Sequence, residues 1–462
     1  MHLFFPAAII LIMIVMKFGG SSVANADRIR HMAEIVKTRL NRKPVVVLSA
    51  MGDTTDFLLE AGDAALKNGV VSLEKVEDQH LKTIKDLNLG EPALTDIQSL
   101  LTELRTLLMG ISLIRELTGR TKDYLVSFGE RLSVRIAAAY FNSQGIKAAA
   151  VDAWDGGFLS DSNFTLAELA PDSWTRIPQK LKAPAEEGLL QLVTGFIAKD
   201  EKGNITTLGR GGSDLSATMI AASCGAEEVQ VWKDVDGILS ADPRIVKNAK
   251  PVDTVSYEVA SELAYFGAQV LHPRAMQPCM KTGTPVLVKN SYNPDAPGTR
   301  IVASLCGKAR ATQAITSRKK IALVDIVSSR MLGQHGFLAE VFSWFTKHSL
   351  SVDMVATSEV SVSLTLDASN DLSELKKDLS RIANVEIKTG KAIVTIIGDV
   401  QRSSRILAHA FSICERLGVQ VQMISQGASK VNISFIVEEN EADTVIKALH
   451  EDFFESGDEG QD

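Results

Sequence analysis

Residues 12 to 23 read Ile-Met-Ile-Val-Met-Lys-Phe-Gly-Gly-Ser-Ser-Val, an apolar run that ends in a lysine and a glycine pair. With the residues before it, Leu3 to Met16 is an apolar stretch of 14 residues. As a helix it would reach about 21 Å at ~1.5 Å per residue, short of a hydrocarbon core of ~30 Å. Pro6 interrupts it, no Lys or Arg precedes it, and no small-residue cleavage site follows. Neither a membrane anchor nor a secretory signal fits. The other reading is a buried strand, Ile12 to Val15, broken at Gly19-Gly20. A helix from Asp27 to Leu40 follows, with Ile29, Met32, Ile35 and Val36 at helical spacing. That reading claims the chain from Met13 onward for the fold, with Met13 a natural start. It expects residues 1–12 to be an apolar extension, either an upstream mis-assignment or a loosely attached tail.

The same alternation continues outward. Pro44 to Leu48 is a second apolar strand, and Ser49 to Thr55 the loop after it. Residues 57–118 read as mostly helical and polar-faced, Tyr124 to Ser127 as strand-like, and Glu130 to Asn142 as a helix. Further strands are expected at Ile146 to Val151, Leu189 to Phe196, Ile205 to Leu208 and Glu228 to Trp232, with a helix from Asp214 to Ser223. Strands that are apolar throughout and alternate with helices imply an α/β fold: a mostly parallel sheet covered by helices on both faces.

Past about residue 312 the texture changes. Gly336 to Met354 aligns without a gap on Arg405 to Met423, at an offset of 69 residues. At the same offset Val362, Leu364 and Leu366 fall on Val431, Ile433 and Phe435. Each copy has an amphipathic helix, two alternating strands and another helix, a tandem βαββα repeat. The expected organisation is a catalytic domain over 13–305, a linker over 306–317, two α+β modules over 318–389 and 390–456, and an acidic tail over 457–462.

With 23% charged and 45% hydrophobic residues in a chain of 462, the composition is that of a globular protein with sizeable cores. A net charge of −7 gives no reason to expect nucleic acid or an anionic membrane as partner. Cys224, Cys279, Cys306 and Cys414 lie far apart without a metal-binding spacing, as expected of reduced thiols in a cytoplasmic protein.

Three glycine-bearing strand ends could carry chemistry. In Lys17-Phe18-Gly19-Gly20-Ser21-Ser22 the glycines let backbone N–H groups approach an anion, and Lys17 can place a fixed charge on a transferring phosphoryl group. The same residues could equally form an ordinary strand-to-helix turn with a surface lysine. Leu208-Gly209-Arg210-Gly211-Gly212-Ser213-Asp214 flanks an arginine with three glycines, which is costly unless the backbone takes unusual angles or touches a ligand. There Arg210 suits a carboxylate, while Asp214 alone would pass as a helix N-terminal acid. Trp232 to Arg244 is dense in Asp, Gly and Pro, and could cradle a nucleotide or be a plain turn. Glu130, at an expected helix start, could meet an ammonium group or serve only the helix dipole. His272, ahead of Pro273, reads as structural.

Together KFGGSSV, SAMGDTT, VSFGERLS, TTLGRGGSD, VWKDVDGILSADPR and FGAQVLHP stand in the order and approximate spacing found in aspartokinases, and the repeats look like that family's paired ACT domains. The resemblance covers nearly the whole chain from Met13. It implies an amino-acid-kinase fold and transfer of the γ-phosphoryl of ATP, with Mg²⁺, to the β-carboxylate of L-aspartate. The product would be 4-phospho-L-aspartate, on the way to lysine, threonine and methionine. Carried over by motif, Lys17, Gly19 and Gly20 would hold the phosphates, and Asp214 would orient Lys17 and help organise the metal-nucleotide, with no direct protein ligand to the metal. Arg210 would clamp the α-carboxylate and Glu130 the ammonium group, with Ser49, Thr55 and Ser213 completing the pocket. Lys233, Asp234, Leu239, Arg244, Gln269 and Val270 would line the nucleotide site, though related enzymes often have tyrosine at Leu239 and lysine at Gln269.

The first repeat resembles the lysine-sensitive branch of that family. Met331, Gln334, Phe337, Leu338, Ser351, Val352, Asp353, Ser358 and Glu359 match its effector pocket, with Gln334 where that branch can have serine. The resemblance implies feedback inhibition by lysine and a homodimer joined through these modules, or a tetramer. Three rivals remain at this level. One is another amino-acid kinase of the same fold; the second is an inactive ACT-type amino-acid sensor, which should lack Lys17, Arg210 or Asp214; the third is a membrane-associated variant, which fractionation would test.

Overall fold

The computed structural model describes residues 13–266, 271–305, 312–328, 335–398, 403–426 and 431–455. The expected extension over 1–12 and the tail over 457–462 lie outside them, as do Gln269, Val270, Met331 and Gln334.

The first strand, β1 (Ile14–Phe18), is buried along its whole length. After α1 (Ala26–Lys37) the chain forms β2 (Pro44–Leu48), which pairs in parallel with β1. Three helices follow, α2 (Thr54–Asn68), α3 (Glu74–Asp86) and α4 (Glu91–Ile114), then the long α5 (Gly119–Ser143) and β3 (Ala148–Val151). Next come β4 (Leu159–Ser160), α6 (Ser173–Glu186), β5 (Leu190–Thr194), β6 (Ile197–Asp200) and β7 (Ile205–Thr207). The run continues with α7 (Gly212–Cys224), β8 (Glu228–Lys233), β9 (Thr254–Ser256), α8 (Tyr257–Tyr265), α9 (Pro273–Thr282), β10 (Val286–Asn290) and β11 (Thr299–Val302). Eight of these strands form one sheet in the order β3-β5-β2-β1-β8-β10-β11-β9, and β4, β6 and β7 form a small second sheet. All neighbours in the large sheet are parallel except β10 and β11. In such a sheet the carboxyl ends of β1, β2 and β8 open on one edge, which is where ligands bind in open α/β folds.

Two sequence expectations change here. Tyr124 to Ser127 is helical, not a strand: α5 runs unbroken from its Thr118 cap, whose hydroxyl accepts from the Thr121 N–H. Its buried Leu125, Phe128 and Leu132 follow a helical period, which a four-residue apolar run cannot reveal. Glu130 is therefore in mid-helix rather than at a helix start. The stretch over 57–118 is also less polar than expected, since α4 buries Ile97, Leu100, Leu101, Leu104, Leu108 and Ile111. That helix is long and apolar enough to cross a membrane by composition, yet those residues belong to the same core as α2 and α5.

The C-terminal part is built from β12 (Thr312–Val327), α10 (Phe337–Lys347), β13 (Val355–Thr357), β14 (Ser361–Asp367) and α11 (Ser373–Leu379). It repeats as β15 (Asn384–Gly398), α12 (Ser403–Leu417), β16 (Met423–Ser425), β17 (Asn432–Glu438) and α13 (Ala442–His450), so the βαββα unit occurs twice. The six strands form one sheet, β13-β14-β12-β15-β17-β16. Thr312 to Ser317, expected in the linker, is strand: this half of β12 pairs with β15 around Val394 to Gly398. The other half pairs with β14. The expected boundary at 389 and 390 likewise falls inside β15, because each long strand serves both modules.

By packing, the chain divides into two compact units. The first holds the described residues through Ile238 with Asp253–Tyr257 and 271–304, and the second holds Leu239–Val252, 258–266 and the residues from 305 onward. The expected continuous domain over 13–305 is thus interrupted twice. Ala241 and Val246 are buried in a core with Ile315, Val394 and Phe435. Ser240 Oγ lies 2.8 Å from His450 Nε2, and the Ser240 carbonyl accepts from the Ile315 N–H.

Candidate active site

Parallel pairing on both sides buries β1, and the alternation of the strand places Lys17 opposite Val47 and Val231. Its ammonium ends 2.7 Å from Asp214 Oδ1, with both side chains 9% exposed. This is a close charge contact rather than a well-aligned hydrogen bond. Lys233, at the end of β8, brings its Nζ to 3.9 Å from Asp214 Oδ2. Burial would raise the Asp214 carboxyl, but the two ammonium groups hold it below its ordinary range. Lys233 is pushed down, first by burial and then by Lys17, against the pull of Asp214. One carboxylate between the buried Lys17 and the half-buried Lys233 leaves net positive charge, the electrostatics a triphosphate needs.

The glycines after Lys17 act by contact. A Cβ on Gly20 would stand 2.9 Å from the Ala50 carbonyl oxygen and 3.1 Å from that of Gly52. The Gly20 carbonyl accepts from the Gly52 N–H at 3.0 Å. The loops after β1 and β2 are thereby fused. Gly20→Ala should therefore cost about 1–3 kcal/mol and lower kcat/KM, read by thermal melting and initial rates. An alanine variant with parental stability would show that the two loops are not in contact. The α1 helix does not begin directly at this turn. A 3-10 turn over Gly20–Val23 intervenes, and the Asn25 side chain caps α1 at Arg28.

Glu130 enters from α5. A Cβ on Gly129 would lie 2.6 Å from that of Ala50, so the helix presses on the loop. This contact brings Glu130 Oε1 to 3.0 Å from the Ala50 N–H, while Oε2 is buried without a hydrogen-bond partner. Burial pushes the Glu130 carboxyl up to about 8, against the Ala50 hydrogen bond and the charge of Lys17. A buried acid with one unpaired oxygen suits an ammonium group that would supply both charge and hydrogen bond.

Arg210 is exposed, between Gly209 at φ +71° and Gly211 at φ +74°. Left-handed backbone on both sides explains the two glycines around it. It makes no ion pair with the described residues. Ser213 is buried at the start of α7, and Ser49 and Thr55 are half-buried at the end of β2 and the first turn of α2. Asp234 is exposed. Leu239 and Arg244 fall in the second unit, where Asp242 holds the exposed Arg244 guanidinium at 2.6 Å. Gln79 was not expected at all: its amide binds the carbonyls of Met51 at 3.0 Å and Ala24 at 3.3 Å, supporting the loop after β2 from α3. Nothing in the surrounding sequence marks it. His272 caps α9, accepting from the Arg274 N–H.

In the second unit, Asp353 is also less open than expected. Its Oδ1 is 2.8 Å from both Arg318 Nη1 and the Tyr265 hydroxyl, and only the buried Oδ2 lacks a partner. Phe337 is buried and Leu338 exposed on α10. Ser351 and Glu359 are exposed, Val352 is half-buried, and Ser358 bonds Ser361.

Residues 13–290 match the amino acid kinase family, and 394–453 an ACT domain. The chain is 49% identical to aspartokinase 1, chloroplastic, of Arabidopsis thaliana, over 96% of its own length and 80% of that protein. It is 33% identical to lysine-sensitive aspartokinase 3 of Escherichia coli, over 96% and 99%. The fold matches crystal structures of E. coli aspartokinase III with aspartate and ADP (TM-score 0.79, 31% identity) and with lysine and aspartate (TM-score 0.81, 32% identity). Each comparison covers 96% of this chain and 100% of the other. The carboxyl edge of a parallel sheet, a lysine–aspartate–lysine set and paired ACT modules are thus explained by one ancestry: the chain belongs to the aspartokinase family.

Proposed function

We propose that this enzyme transfers the γ-phosphoryl of ATP to the β-carboxylate of L-aspartate, giving 4-phospho-L-aspartate and ADP, as the first step toward lysine, threonine and methionine. The observation that carries it is the Lys17–Asp214–Lys233 set beside the fused glycine loops, with Lys17 and Asp214 buried. A carboxylate oxygen forms the new bond to phosphorus as the bond to the β,γ-bridging oxygen breaks. The nucleophile is already ionised at pH 7, so no base is required. Lys17 and Lys233 stabilise charge on the phosphoryl oxygens, while Asp214 fixes Lys17. Glu130 takes the substrate ammonium and Arg210 its α-carboxylate, which orient the β-carboxylate for in-line attack. Lys233 and Asp234, at the end of β8, are assigned to the nucleotide.

Among the described residues no group of three His, Cys, Asp or Glu side chains could hold a metal ion. The donors near Lys17 amount to one carboxylate already between two lysines, which fits a Mg²⁺ carried by the nucleotide phosphates, with Asp214 reaching at most its water shell. When bound, Mg²⁺ neutralises charge on the β- and γ-phosphates. Formation of aspartate-dependent hydroxamate with ATP and Mg²⁺ tests the reaction. A substrate panel in which glutamate or N-acetylglutamate outperforms aspartate would overturn it. The inactive-sensor reading is disfavoured, because Lys17, Arg210 and Asp214 are all present.

Lysine is the proposed inhibitor, bound at the first module of a homodimer or tetramer, with Asp353 Oδ2 receiving its ammonium. Breaking the Asp353–Tyr265 bond should then alter inhibition. Tyr265→Phe is expected to shift the lysine concentration for half-inhibition about tenfold or more while leaving kcat unchanged, since one hydrogen bond to a charged group is worth ~1.5–3 kcal/mol. An enzyme indifferent to millimolar lysine, yet inhibited by threonine, would show the effector to be wrong. Bacterial and chloroplast enzymes both occur among the relatives, and a cytoplasmic site for this one is proposed on its buried free thiols Cys224, Cys279 and Cys414.

A further inference from the structure

The loop that carries Arg210 is held from behind by two side chains that have no place in the mechanism above. Asp123, on α5, is 1% exposed. Its Oδ2 accepts the N–H groups of Thr165 and Thr207 at 2.9 Å each, and its Oδ1 accepts the Thr207 hydroxyl at 2.8 Å. Thr207 is the last residue of β7. Its carbonyl accepts from the Ala167 N–H at 2.8 Å, and the Ala167 carbonyl accepts from Arg274 Nη2 at 2.7 Å. Arg274 Nη1 then donates to the Leu208 carbonyl at 2.9 Å. These bonds form a closed ring through Thr207, Ala167, Arg274 and Leu208, ending at the residue before Gly209. A Cβ on Gly211 would lie 2.8 Å from that of His272, so the far side of the Arg210 loop is pressed against the cap of α9.

A guanidinium spent on two backbone carbonyls and a buried aspartate spent on two threonines are expensive in desolvation unless the position of that backbone matters. Two flexible glycines flank Arg210, so the chain around it has no rigidity of its own. Whatever direction Arg210 takes must be set at Leu208 on one side and at α7 on the other. Asp123 and Glu130 are seven residues apart on one helix, close to two full turns, and so share a face about 10 Å apart along the axis.

We infer that Asp123 and Arg274 are positioning residues for the substrate pocket. They lock the strand end ahead of Gly209 so that α5 registers the carboxylate-binding Arg210 against the ammonium-binding Glu130. The spacing of the two subsites, and hence the fit to a four-carbon amino diacid, is then set by one rigid helix. This rests on the assignment of Arg210 to the α-carboxylate of aspartate.

The test uses the full-length enzyme carrying Asp123→Asn, Arg274→Gln or Arg274→Lys, with Arg210→Ala as reference. Each of the first two should raise the KM for aspartate about tenfold, the loss expected for one charge-assisted hydrogen bond. The KM for ATP should stay within about twofold, and Arg274→Lys should restore part of the loss. In an Arg210→Ala background neither substitution should add more than about twofold, because what they aim is already gone. Equal effects on the aspartate and ATP constants, or full additivity with Arg210→Ala, would reduce the pair to general stability and overturn the inference. Clamp variants at the parental KM beside a weakened Arg210→Ala would also overturn it, with the substrate assignment standing. An Arg210→Ala enzyme with unchanged aspartate KM would remove the assignment itself, and the inference with it. If Asp123→Asn does not fold, the half-buried Arg274 carries the same comparison.

Discussion

Lys17→Ala lowers kcat on the order of 10³-fold, with both KM values changing by less than about tenfold. The magnitude is that of removing one fixed cation from a phosphoryl-transfer transition state, where Lys233 does not make up for the charge lost at the equatorial oxygens. The effect falls on kcat because the charge that Lys17 opposes develops as the phosphorus–oxygen bond breaks. The fold should survive the change. Removing one partner of a buried ion pair ordinarily costs about 3–5 kcal/mol, but Lys233 remains 3.9 Å from Asp214 Oδ2 and keeps that carboxylate compensated. A melting curve taken with the kinetics separates the two quantities. Asp214→Asn should show the complementary result: a smaller loss in kcat, since Lys17 keeps its charge but loses its anchor 2.7 Å away. Full activity in Lys17→Ala would sink the mechanism.

The second large effect belongs to Glu130. With its carboxyl pushed up to about 8 by burial, the empty enzyme carries it mostly protonated at neutral pH. An ammonium ion needs the carboxylate, so binding aspartate must release a proton. The apparent KM for aspartate should fall on the order of tenfold as pH rises from about 6.5 to 8.5, then level. Glu130→Gln should raise that KM about 10²-fold, by leaving the ammonium without its charge partner, and should flatten the profile. A titration of KM against pH with both proteins checks this, and a wild-type profile that is flat, or that rises with pH, would exclude it. The same group links pH to stability. Its pKa is raised on folding from 4.5 to about 8, so the native state holds the proton more tightly than the unfolded chain. The stabilisation is complete below about 4.5, declines above it, and is lost as pH passes about 8. Wild-type enzyme should therefore lose more thermal stability than Glu130→Gln between pH 5 and 8.

Much of this was written locally. The strand before Lys17, the glycine pair and the 69-residue repeat are readable because buried strands and amphipathic helices leave periodic traces, and because clustered glycines have few other uses. Those features determined an α/β part, a duplicated α+β part and a lysine at a strand end beside two glycines. Tertiary structure alone decided the rest. Glu130 owes its raised pKa to the contact of Gly129 with Ala50, and Asp214 owes its lowered one to lysines from two other strands. Gln79, Asp123 and Arg274 gave no sign, since a side chain that binds backbone carbonyls or N–H groups far away leaves no pattern near itself. Periodicity records which face of an element is buried. Desolvation and charge depend on which other elements that face meets, and those lie tens to hundreds of residues away along the chain.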